Sequence, residues 1–391
     1  MDMLNHLRKR MTNNSRTSYS VSTPGRVCLF GEHQDYLGLP VIPCAISLRV
    51  GLQAAHRTDS MVKITLPDIQ SEETFSFSGP LPYVRERDYF RSGVNVLRRH
   101  GSTFTKGLEC TVRGKIPINT GTSSSSALVV AWINLLAQMS DQAQQLEPAL
   151  IAKYAHETEV VEFGEPGGMM DHYSTALGGI IFLEFTPVTI AAPLYPTLGS
   201  FVLGDSGEPK DTTSILARVK NQVISISKQL AAKHSNFSLM TTNPNEIVRF
   251  AKEITAEQSE LLRGTLQNRL ITYQAKSLLQ SATVDHRRIG VLMTDHQHIL
   301  RDVLRISTPK IDRMIDAACE AGAYGGKING SGGGGCMFVY APERAEAAAE
   351  AIERAGGKAY IVKTDSGTRT EEAGSANGCP YSEVHTGQMP S

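Results

Sequence analysis

Aromatic side chains are scarce in this sequence: they make up 6% of its 391 residues, with a single tryptophan. No apolar run approaches the roughly 18 residues that a membrane-spanning helix needs. The 39 basic and 39 acidic residues cancel, so neither a nucleic-acid surface nor a polybasic membrane contact is indicated. What remains is a globular chain, 41% hydrophobic and long enough for about two domains with a sizeable core.

Cysteine is also sparse. The six cysteines are scattered and form no C-x-x-C pair, which predicts reduced thiols rather than a disulfide framework or a zinc site. Residues 1–20 contain the basic run Arg8-Lys9-Arg10 but no apolar core, so they are not typical of a secretory signal. We therefore expect a cytoplasmic protein, while the oligomeric state stays open.

A serine-rich stretch, Gly121 to Ala127, precedes the apolar run Leu128 to Leu136. This pattern predicts that a buried helix begins here. The first N–H groups of a helix have no partner inside it, so a helix start is a ready anion site. A phosphate-bearing ligand would suit this stretch, and a serine hydroxyl could reach a metal. The alternative is a serine-rich N-cap on a core helix.

Ionisable residues separate two apolar segments near the start of the chain. Arg26 to Phe30 and Val41 to Ile46 are predicted to be strands, and Glu32, His33 and Asp35 lie between them. A loop with two carboxylates and an imidazole can bind a polyhydroxylated ligand. The alternative is a solvated hairpin, although turns seldom need all three of these residues together.

A second acidic candidate follows a turn rich in glycine. The predicted helix Glu147 to Glu162 ends at the segment 163–168, which contains three glycines and a proline, and Asp171 follows. A carboxylate at such a tightly built turn is a candidate general base. The alternative is that Asp171 caps a short helix at 173–177.

A second glycine-rich loop, 330–335, follows a predicted helix and precedes a strand. A dinucleotide-binding loop needs the opposite order, so a Rossmann site is disfavoured. A Walker A loop is absent because Lys327 is followed by Ile328, and no G-x-S-x-G elbow occurs. Two phosphate-friendly loops in different halves, together with Asp171, indicate phosphoryl transfer across a cleft.

These motifs resemble those of the GHMP small-molecule kinases, and within them the galactokinases. Residues 25–36, GRVCLFGEHQDY, are similar to the galactokinase signature GRVNLIGEHTDY. Residues 117–128, PINTGTSSSSAL, resemble the ATP motif PxGxGLSSSAAL, and residues 327–336, KINGSGGGGC, resemble KxTGAGxGGC. Residues 159–171, EVVEFGEPGGMMD, are similar to ExxFxGxxxGxMD. The similarity is ordered along the chain from about residue 23 to 363.

The resemblance implies an α+β, two-domain GHMP kinase fold with the active site in the cleft between the domains. We expect a ribosomal-protein-S5-like domain at 18–195, a ferredoxin-like domain at 196–363 and a disordered tail at 364–391. The implied activity is phosphorylation of the anomeric C1 hydroxyl of galactose or a closely related hexose, with ATP and Mg²⁺. The partners would be the sugar and ATP, with no nucleic acid and no membrane.

Carried over motif by motif, the resemblance implies a role for each group of residues. Asp171 would be the catalytic base, and Arg26 would hold it ionised and stabilise the transferring phosphoryl group. Ser125 and Glu159 would bind Mg²⁺ as hard oxygen ligands. The sugar hydroxyls would be held by Glu32, His33, Asp35 and Gly168. The ATP phosphates would be cradled by Gly121, Thr122, Ser123, Ser124, Ser125 and Ser126. The cleft would be shaped by Gly332, Gly333, Gly334 and Gly335.

The sequence also departs from the galactokinase pattern. Cys28 and Gln34 replace an asparagine and a threonine of the signature. Galactokinases place a sugar-contacting tyrosine after a turn that resembles residues 205–207, and no tyrosine follows this turn nearby. That stretch is more similar to mevalonate kinases. Asp35-Tyr36 is unlike mevalonate kinases, which carry apolar residues at these positions. A kinase for a uronic acid or another sugar, and a non-catalytic sugar sensor, are therefore kept as alternatives.

Overall fold

The computed structural model describes residues 18–118, 120–185, 187–209 and 212–372. Their strands form two sheets. The first sheet contains β1 (Ser18–Phe30), β2 (Ile42–His56), β3 (Met61–Leu66), β4 (Ser71–Ser76), β5 (Leu108–Gly114), β6 (Ile180–Glu184), β7 (Ile190–Leu194) and β12 (Arg369–Glu372). The second contains β8 (Phe201–Asp205), β9 (Gly325–Ile328), β10 (Cys336–Tyr340) and β11 (Lys358–Val362).

Helices cover both sheets. In the first half of the chain they are α1 (Tyr89–Arg99), α2 (Ser124–Met139), α3 (Pro148–His156) and α4 (Met170–Leu177). In the second half they are α5 (Thr212–Ala231), α6 (Ala256–Leu279), α7 (His286–His298), α8 (Pro309–Glu320) and α9 (Ala345–Arg354).

The first sheet has the strand order β12-β1-β2-β5-β3-β4, and β6 joins β2 to β7. Its pairs are antiparallel except β3 with β5. The second sheet has the order β11-β8-β10-β9 and is antiparallel throughout. The predicted boundary between residues 195 and 196 lies in the connection from β7 to β8, and the division into two domains stays a prediction.

Helix α2 is the centre of the first half. Twelve of its 16 residues are buried, because its sequence is apolar on every face and such a helix is stable only inside a core. Its Trp132 packs edge-on against Phe90 of α1, and the indole N–H donates to the Phe90 carbonyl at 3.0 Å. The predicted buried helix after the serine stretch is thus present.

Several predicted helices end or begin differently in the structure. The helix expected over 147–162 becomes α3 followed by a π turn at Glu157–Val161. The sequence pattern also predicts helices over 245–280 and 286–304, and Ser307 as the cap of a helix that begins at residue 308. The first of these is shorter, because Thr255 and Gln258 form a capping box that starts α6, and the second ends in a π turn at Ile299–Val303. The N-cap of α8 is Thr308, and the Ser307 hydroxyl instead donates to Asp312 at 2.7 Å.

The expectation of disorder from residue 364 is wrong for residues 364–372. Strand β12 pairs with β1 in the first sheet, from Tyr19 with Glu372 to Ser22 with Arg369. Arg49 binds the incoming segment through an ion pair with Asp365 at 3.0 Å and a hydrogen bond to the Gly367 carbonyl at 2.8 Å. Polar composition alone suggested disorder, whereas backbone pairing stabilises this segment. Residues 373–391 and the basic run at 8–10 lie outside the described residues.

Across the part of the chain that the structure describes, no helix combines the length and apolar character needed to cross a membrane.

Candidate active site

A cleft of about 1050 Å³, open solvent included, lies where the two halves of the chain meet. Most of its wall comes from the first half, and Leu216, Gly330 and Ser331 come from the second. The first half contributes Arg26, Glu32, His33, Asp35, Tyr36, Arg87, Tyr89, Gly121, Ser123, Ser124, Ser125, Ser126, Glu159, Val160, Glu165, Gly167, Gly168, Met170, Asp171 and His172. The structure therefore brings the predicted catalytic, metal-binding and sugar-binding residues to one cleft.

The serine stretch forms the start of α2 at one wall of this cleft. Ser123 precedes the helix with a φ of 59°, a left-handed conformation that costs free energy for a residue with a side chain. Its hydroxyl makes no capping hydrogen bond, which weakens the interpretation of this stretch as a simple N-cap. Of the predicted ATP-binding residues, Thr122 is the exception: it is fully buried and is not among the residues that line the cleft.

Arg26 and Asp171 form an ion pair on the floor of the cleft. The Arg26 Nε and Nη2 both donate to Oδ1 of Asp171, at 2.8 and 2.7 Å. Burial disfavours the charged form of Asp171, but the Arg26 guanidinium, together with Ser123 and His172, holds the pKa of this carboxyl below its usual value. The Ser123 hydroxyl adds to this lowering of the pKa without making a hydrogen bond of normal geometry. Asp171 is thus an ionised acceptor.

Three consecutive residues of α4 contact three different parts of the site. The Met170 N–H donates to Asp35 at 3.3 Å, Asp171 pairs with Arg26, and the ring of His172 bonds Glu159 at 2.7 Å. Asp171 is the second residue of α4 and does not cap a helix at 173–177. Because successive helical side chains point about 100° apart, one turn can hold all three contacts.

Asp35 and Gly168 form the side of the cleft that the sequence assigned to a sugar. A Cβ added to Gly168 would lie 2.3 Å from Cγ of Asp35, so only glycine leaves room for this carboxylate. Burial and the neighbouring charge of Asp171 raise the pKa of Asp35 to about 6, although the N–H of Met170 and that of Tyr36 oppose this. Asp35 is thus a hydrogen-bond acceptor beside the Arg26–Asp171 ion pair.

Glu32 and His33 lie at the same loop but are already engaged. Glu32 is 2% exposed, and its Oε2 accepts from the fully buried Lys327 Nζ at 2.6 Å. The His33 ring contacts the Tyr36 hydroxyl at 2.7 Å through Nδ1 and the Ser331 carbonyl at 3.0 Å through Nε2. These contacts connect the loop to the second half of the chain, and they contradict a solvated hairpin.

The glycine-rich loop differs from its predicted role. Gly330 and Ser331 line the cleft, whereas Gly332 to Gly335 do not. Gly332 packs on Ile306, and Gly335 packs so closely on Thr120 that a Cβ would lie 2.6 Å from its carbonyl oxygen. The four predicted glycines therefore fix the loop against its neighbours, and the two residues before them face the cleft.

Alternate residues of the segment that leads into this loop point toward the first half. Lys327 donates to the Cys28 carbonyl at 2.9 Å as well as to Glu32. Asn329 accepts from the Cys28 N–H at 2.9 Å and donates to the Gly121 carbonyl at 2.8 Å. Sequence reasoning missed these two residues, although their spacing of two in a strand-like segment was a usable signal.

A divalent cation fits the pair Ser125 and Glu159. Burial disfavours the charged form of Glu159, but His172 and the hydroxyls of Ser125 and Ser126 hold its pKa below the usual value. Oxygen donors of this kind suit Mg²⁺, which is often held by one or two protein ligands together with substrate phosphates and water. Among the described residues, no group of three or more His, Cys, Asp or Glu side chains could hold a metal alone.

The chain belongs to the GHMP kinase family. The N-terminal domain of the GHMP kinases matches residues 88–179, and their C-terminal domain matches residues 276–359. The galactokinase galactose-binding signature matches residues 8–56. The predicted α+β two-domain GHMP kinase fold is therefore confirmed, and the members of this family are small-molecule phosphotransferases.

Individual relatives point to two branches of the family. A mevalonate kinase from Thermococcus sibiricus is 29% identical over 367 residues, which cover 90% of this chain and 98% of that protein. The crystal structure of Lactococcus lactis galactokinase complexed with galactose has a TM-score of 0.79 at 20% identity, covering 94% of this chain and 99% of that one. Methanococcus jannaschii mevalonate kinase has a TM-score of 0.69 at 20% identity, over 90% and 99% of the two chains. Both structures show the same fold.

Proposed function

We propose that this protein is an ATP-dependent sugar kinase that phosphorylates the anomeric C1 hydroxyl of galactose or a closely related hexose. The observation that carries the proposal is the Arg26–Asp171 pair at the floor of the cleft, with the serine start of α2 on one side and Asp35 on the other. Such an arrangement places an ionised acceptor, a fixed cation and a phosphate cradle around one point.

The chemistry follows from the way Arg26 holds Asp171. Both donors point at Oδ1, which leaves Oδ2 to accept a hydrogen bond from the attacking sugar hydroxyl. Asp171 orients that hydroxyl and takes its proton as the bond to phosphorus forms. Arg26 stabilises the negative charge that accumulates on the transferring phosphoryl group. The backbone N–H groups at the start of α2 hold the nucleotide phosphates in line.

Ser125 and Glu159 would hold Mg²⁺ against the phosphates of ATP. When bound, the ion supplies positive charge to the phosphate oxygens. Of the predicted sugar contacts, Asp35 and Gly168 remain open to a ligand. Glu32 and His33 support the loop from behind through Lys327 and Ser331.

The charge of the cleft favours a neutral substrate over a carboxylate. Its described wall contains five acids against two arginines. Arg26 is paired with Asp171 and Arg87 with Glu165, so neither is available to a substrate carboxylate without breaking an ion pair. A polyhydroxylated neutral sugar can donate to Asp35 at no such cost. This supports a hexose rather than a uronic acid.

A mevalonate kinase is the second candidate, because the relatives at 29% identity carry that name. It is also favoured by the absence of a tyrosine after residues 205–207. The acidic cleft wall opposes it, since mevalonate is itself an anion.

One assay separates these candidates. ATP consumption should be measured with galactose, other hexoses, galacturonic and glucuronic acid, and mevalonate, each with Mg²⁺. We expect the highest kcat/KM for galactose or a near epimer, with the phosphate on C1 in the product by ³¹P NMR. A preference for mevalonate or a uronic acid would overturn the sugar assignment while leaving the kinase intact. No turnover with any of them, together with sugar and ATP binding, would favour a sensor.

The role of Asp171 is tested by Asp171→Asn. We expect turnover to fall by at least about 10³-fold, because the amide cannot accept the proton, while ATP binding measured by calorimetry persists. Asp68→Asn, an exposed carboxylate far along the first sheet, is the control and should keep wild-type turnover. Near-normal turnover of Asp171→Asn would remove it from the mechanism.

A further inference from the structure

His172 directly follows Asp171, the proposed catalytic base, and its side chain makes one strong polar contact with a described residue. Its ring is 2% exposed, and its Nε2 lies 2.7 Å from Oε2 of the buried Glu159. Because an ionised carboxylate can only accept hydrogen bonds, Nε2 must carry the ring hydrogen.

The other ring nitrogen of His172 has no partner. Nδ1 is buried without a hydrogen bond to any described residue. The ring of His156 packs edge-on against the His172 ring, with centroids 5.3 Å apart. A buried polar atom left unpaired costs about 1–3 kcal/mol. An apolar side chain would fill the same space without that cost, so the contribution of the imidazole lies in its Nε2–H.

Glu159 needs such a donor because of where the backbone places it. It is the central residue of the π turn Glu157–Val161, a local irregularity of the kind often found at functional sites. The glutamate side chain has three rotatable torsions, so its carboxylate must be fixed to face the cleft. Hydrogen bonds from outer residues orient metal ligands and raise metal affinity.

We propose that His172 is a positioning residue that holds the Glu159 carboxylate toward a divalent cation bound with the nucleotide. One turn of α4 then positions both the proposed base Asp171 and, through His172, the metal ligand Glu159. This inference rests on the proposed function, because it takes Ser125 and Glu159 as the metal site.

The test measures Mn²⁺ binding in the presence of ADP. The electron paramagnetic resonance signal of free Mn²⁺ monitors the binding. His172→Phe keeps a ring but removes the donor, and it should weaken Mn²⁺ binding about 10- to 100-fold. His172→Gln can still donate to Glu159 and should restore affinity to within about threefold. His156→Phe keeps the edge contact and is the matched control, with wild-type affinity expected. In steady-state assays, His172→Phe should raise the KM for Mg²⁺ more than the KM for the sugar.

The Mn²⁺-binding results distinguish a failure of the His172 proposal from a failure of the proposed metal site. If Glu159→Gln weakens Mn²⁺ binding and His172→Phe does not, His172 is not a positioning residue while the metal site stands. If neither variant changes Mn²⁺ binding, both the metal site and the inference fail.

A measurement on the wild-type protein covers the case in which His172→Phe does not fold. The protein is labelled with ¹⁵N-histidine and studied by NMR, and the His172 resonances are assigned by their absence in His172→Gln. They should show a hydrogen on Nε2 and none on Nδ1. The opposite tautomer would overturn the proposed contact.

Discussion

The free-energy cost of ionising Asp35 depends on the residues around it. Its carboxylate lies in contact range of Gly168 and accepts from the Met170 N–H, and burial together with Asp171 raises its pKa to about 6. Single residues of this site thus act through short contacts with each other. Two predictions concern single residues: one tests the ionisation of Asp35, and the other tests the room that Gly168 leaves for its carboxylate.

Asp35→Asn should stabilise the fold in a pH-dependent way. The pKa of Asp35 is raised from 3.8 to about 6, so the folded state binds more protons between these values, and wild-type stability falls as pH rises through that window. The asparagine variant lacks this loss. The free energy of unfolding in urea should be measured for both proteins at two pH values. The difference, variant minus wild type, should be about 2 kcal/mol larger at pH 7.5 than at pH 4.5. An equal difference at both pH values would contradict the raised pKa.

Gly168→Ala should displace the Asp35 carboxylate, because the new Cβ would lie 2.0 Å from its Oδ2. We expect kcat/KM for the sugar to fall about tenfold or more, with the KM for ATP unchanged. Gly167→Ala is the matched control, since its Cβ meets only Val160 at an ordinary 3.5 Å. Equal kinetics for the two variants would show that Asp35 is not part of the sugar site.

At the scale of elements, strand β9 and the loop that follows it fasten the two halves around the cleft. Lys327 reaches Glu32 and Cys28, Asn329 reaches Cys28 and Gly121, and the Ser331 carbonyl reaches His33. These contacts connect the proposed sugar-binding loop around Glu32 and His33 and the serine stretch before α2 to one extended segment. The distance between the two loops therefore depends on this segment.

Lys327→Met should destabilise the protein by about 3–5 kcal/mol, because it leaves the buried Glu32 carboxylate without its cation. Urea unfolding measures the loss. The double variant Lys327→Met/Glu32→Met should recover much of it, since both charges are then absent. Lys63→Met is the control: its pair with Glu72 is exposed at 41% and 57%, and its loss should cost under about 1 kcal/mol. A Lys327→Met cost as small as that would contradict the buried pair.

For the molecule as a whole, the segment 364–372 returns from the second sheet to the first. This segment makes two further backbone hydrogen bonds besides the pairing of β12 with β1. The Asp365 carbonyl accepts from the Gly179 N–H at 2.8 Å, and the Thr368 N–H donates to the Ala176 carbonyl at 3.0 Å. It therefore touches the end of α4, whose first turn carries Asp171. The two halves share one hydrogen-bonded framework.

Arg49→Met should destabilise the whole fold by about 3 kcal/mol, because it breaks a largely buried ion pair with Asp365. Arg57→Met is the matched control: its pair with Asp59 is exposed at 31% and 47%, so its loss should leave the free energy of unfolding close to that of the wild type. Comparing a chain that ends at Lys363 with one that ends at Glu372 measures the contribution of the whole segment 364–372. Equal unfolding free energies for those two chains would show that the segment adds nothing.

Much of the site was predictable because its chemistry is concentrated in short motifs. The serine stretch, Asp35 and Asp171 were recognised from local pattern, since a helix start, a turn and a strand each leave a signature over a few residues. The sequence also predicted two halves around a cleft, because the phosphate-friendly loops lie in different halves of the chain. Periodicity alone overextended the helices, since it does not register π turns or a capping box.

The sequence by itself predicted a class of chemistry, because it shows which residue types could accept a proton, cradle phosphate or hold a hard cation. Only the tertiary structure decided how these residues are held. The Glu32–Lys327 pair spans 295 positions and β12 pairs with a strand more than 340 positions away, and no local pattern encodes such partners. The Glu159–His172 contact spans only 13 positions, yet it depends on a π turn and on the orientation of α4. The reason is physical: burial and hydrogen-bond geometry depend on which surfaces meet, and that is settled only when the whole chain packs.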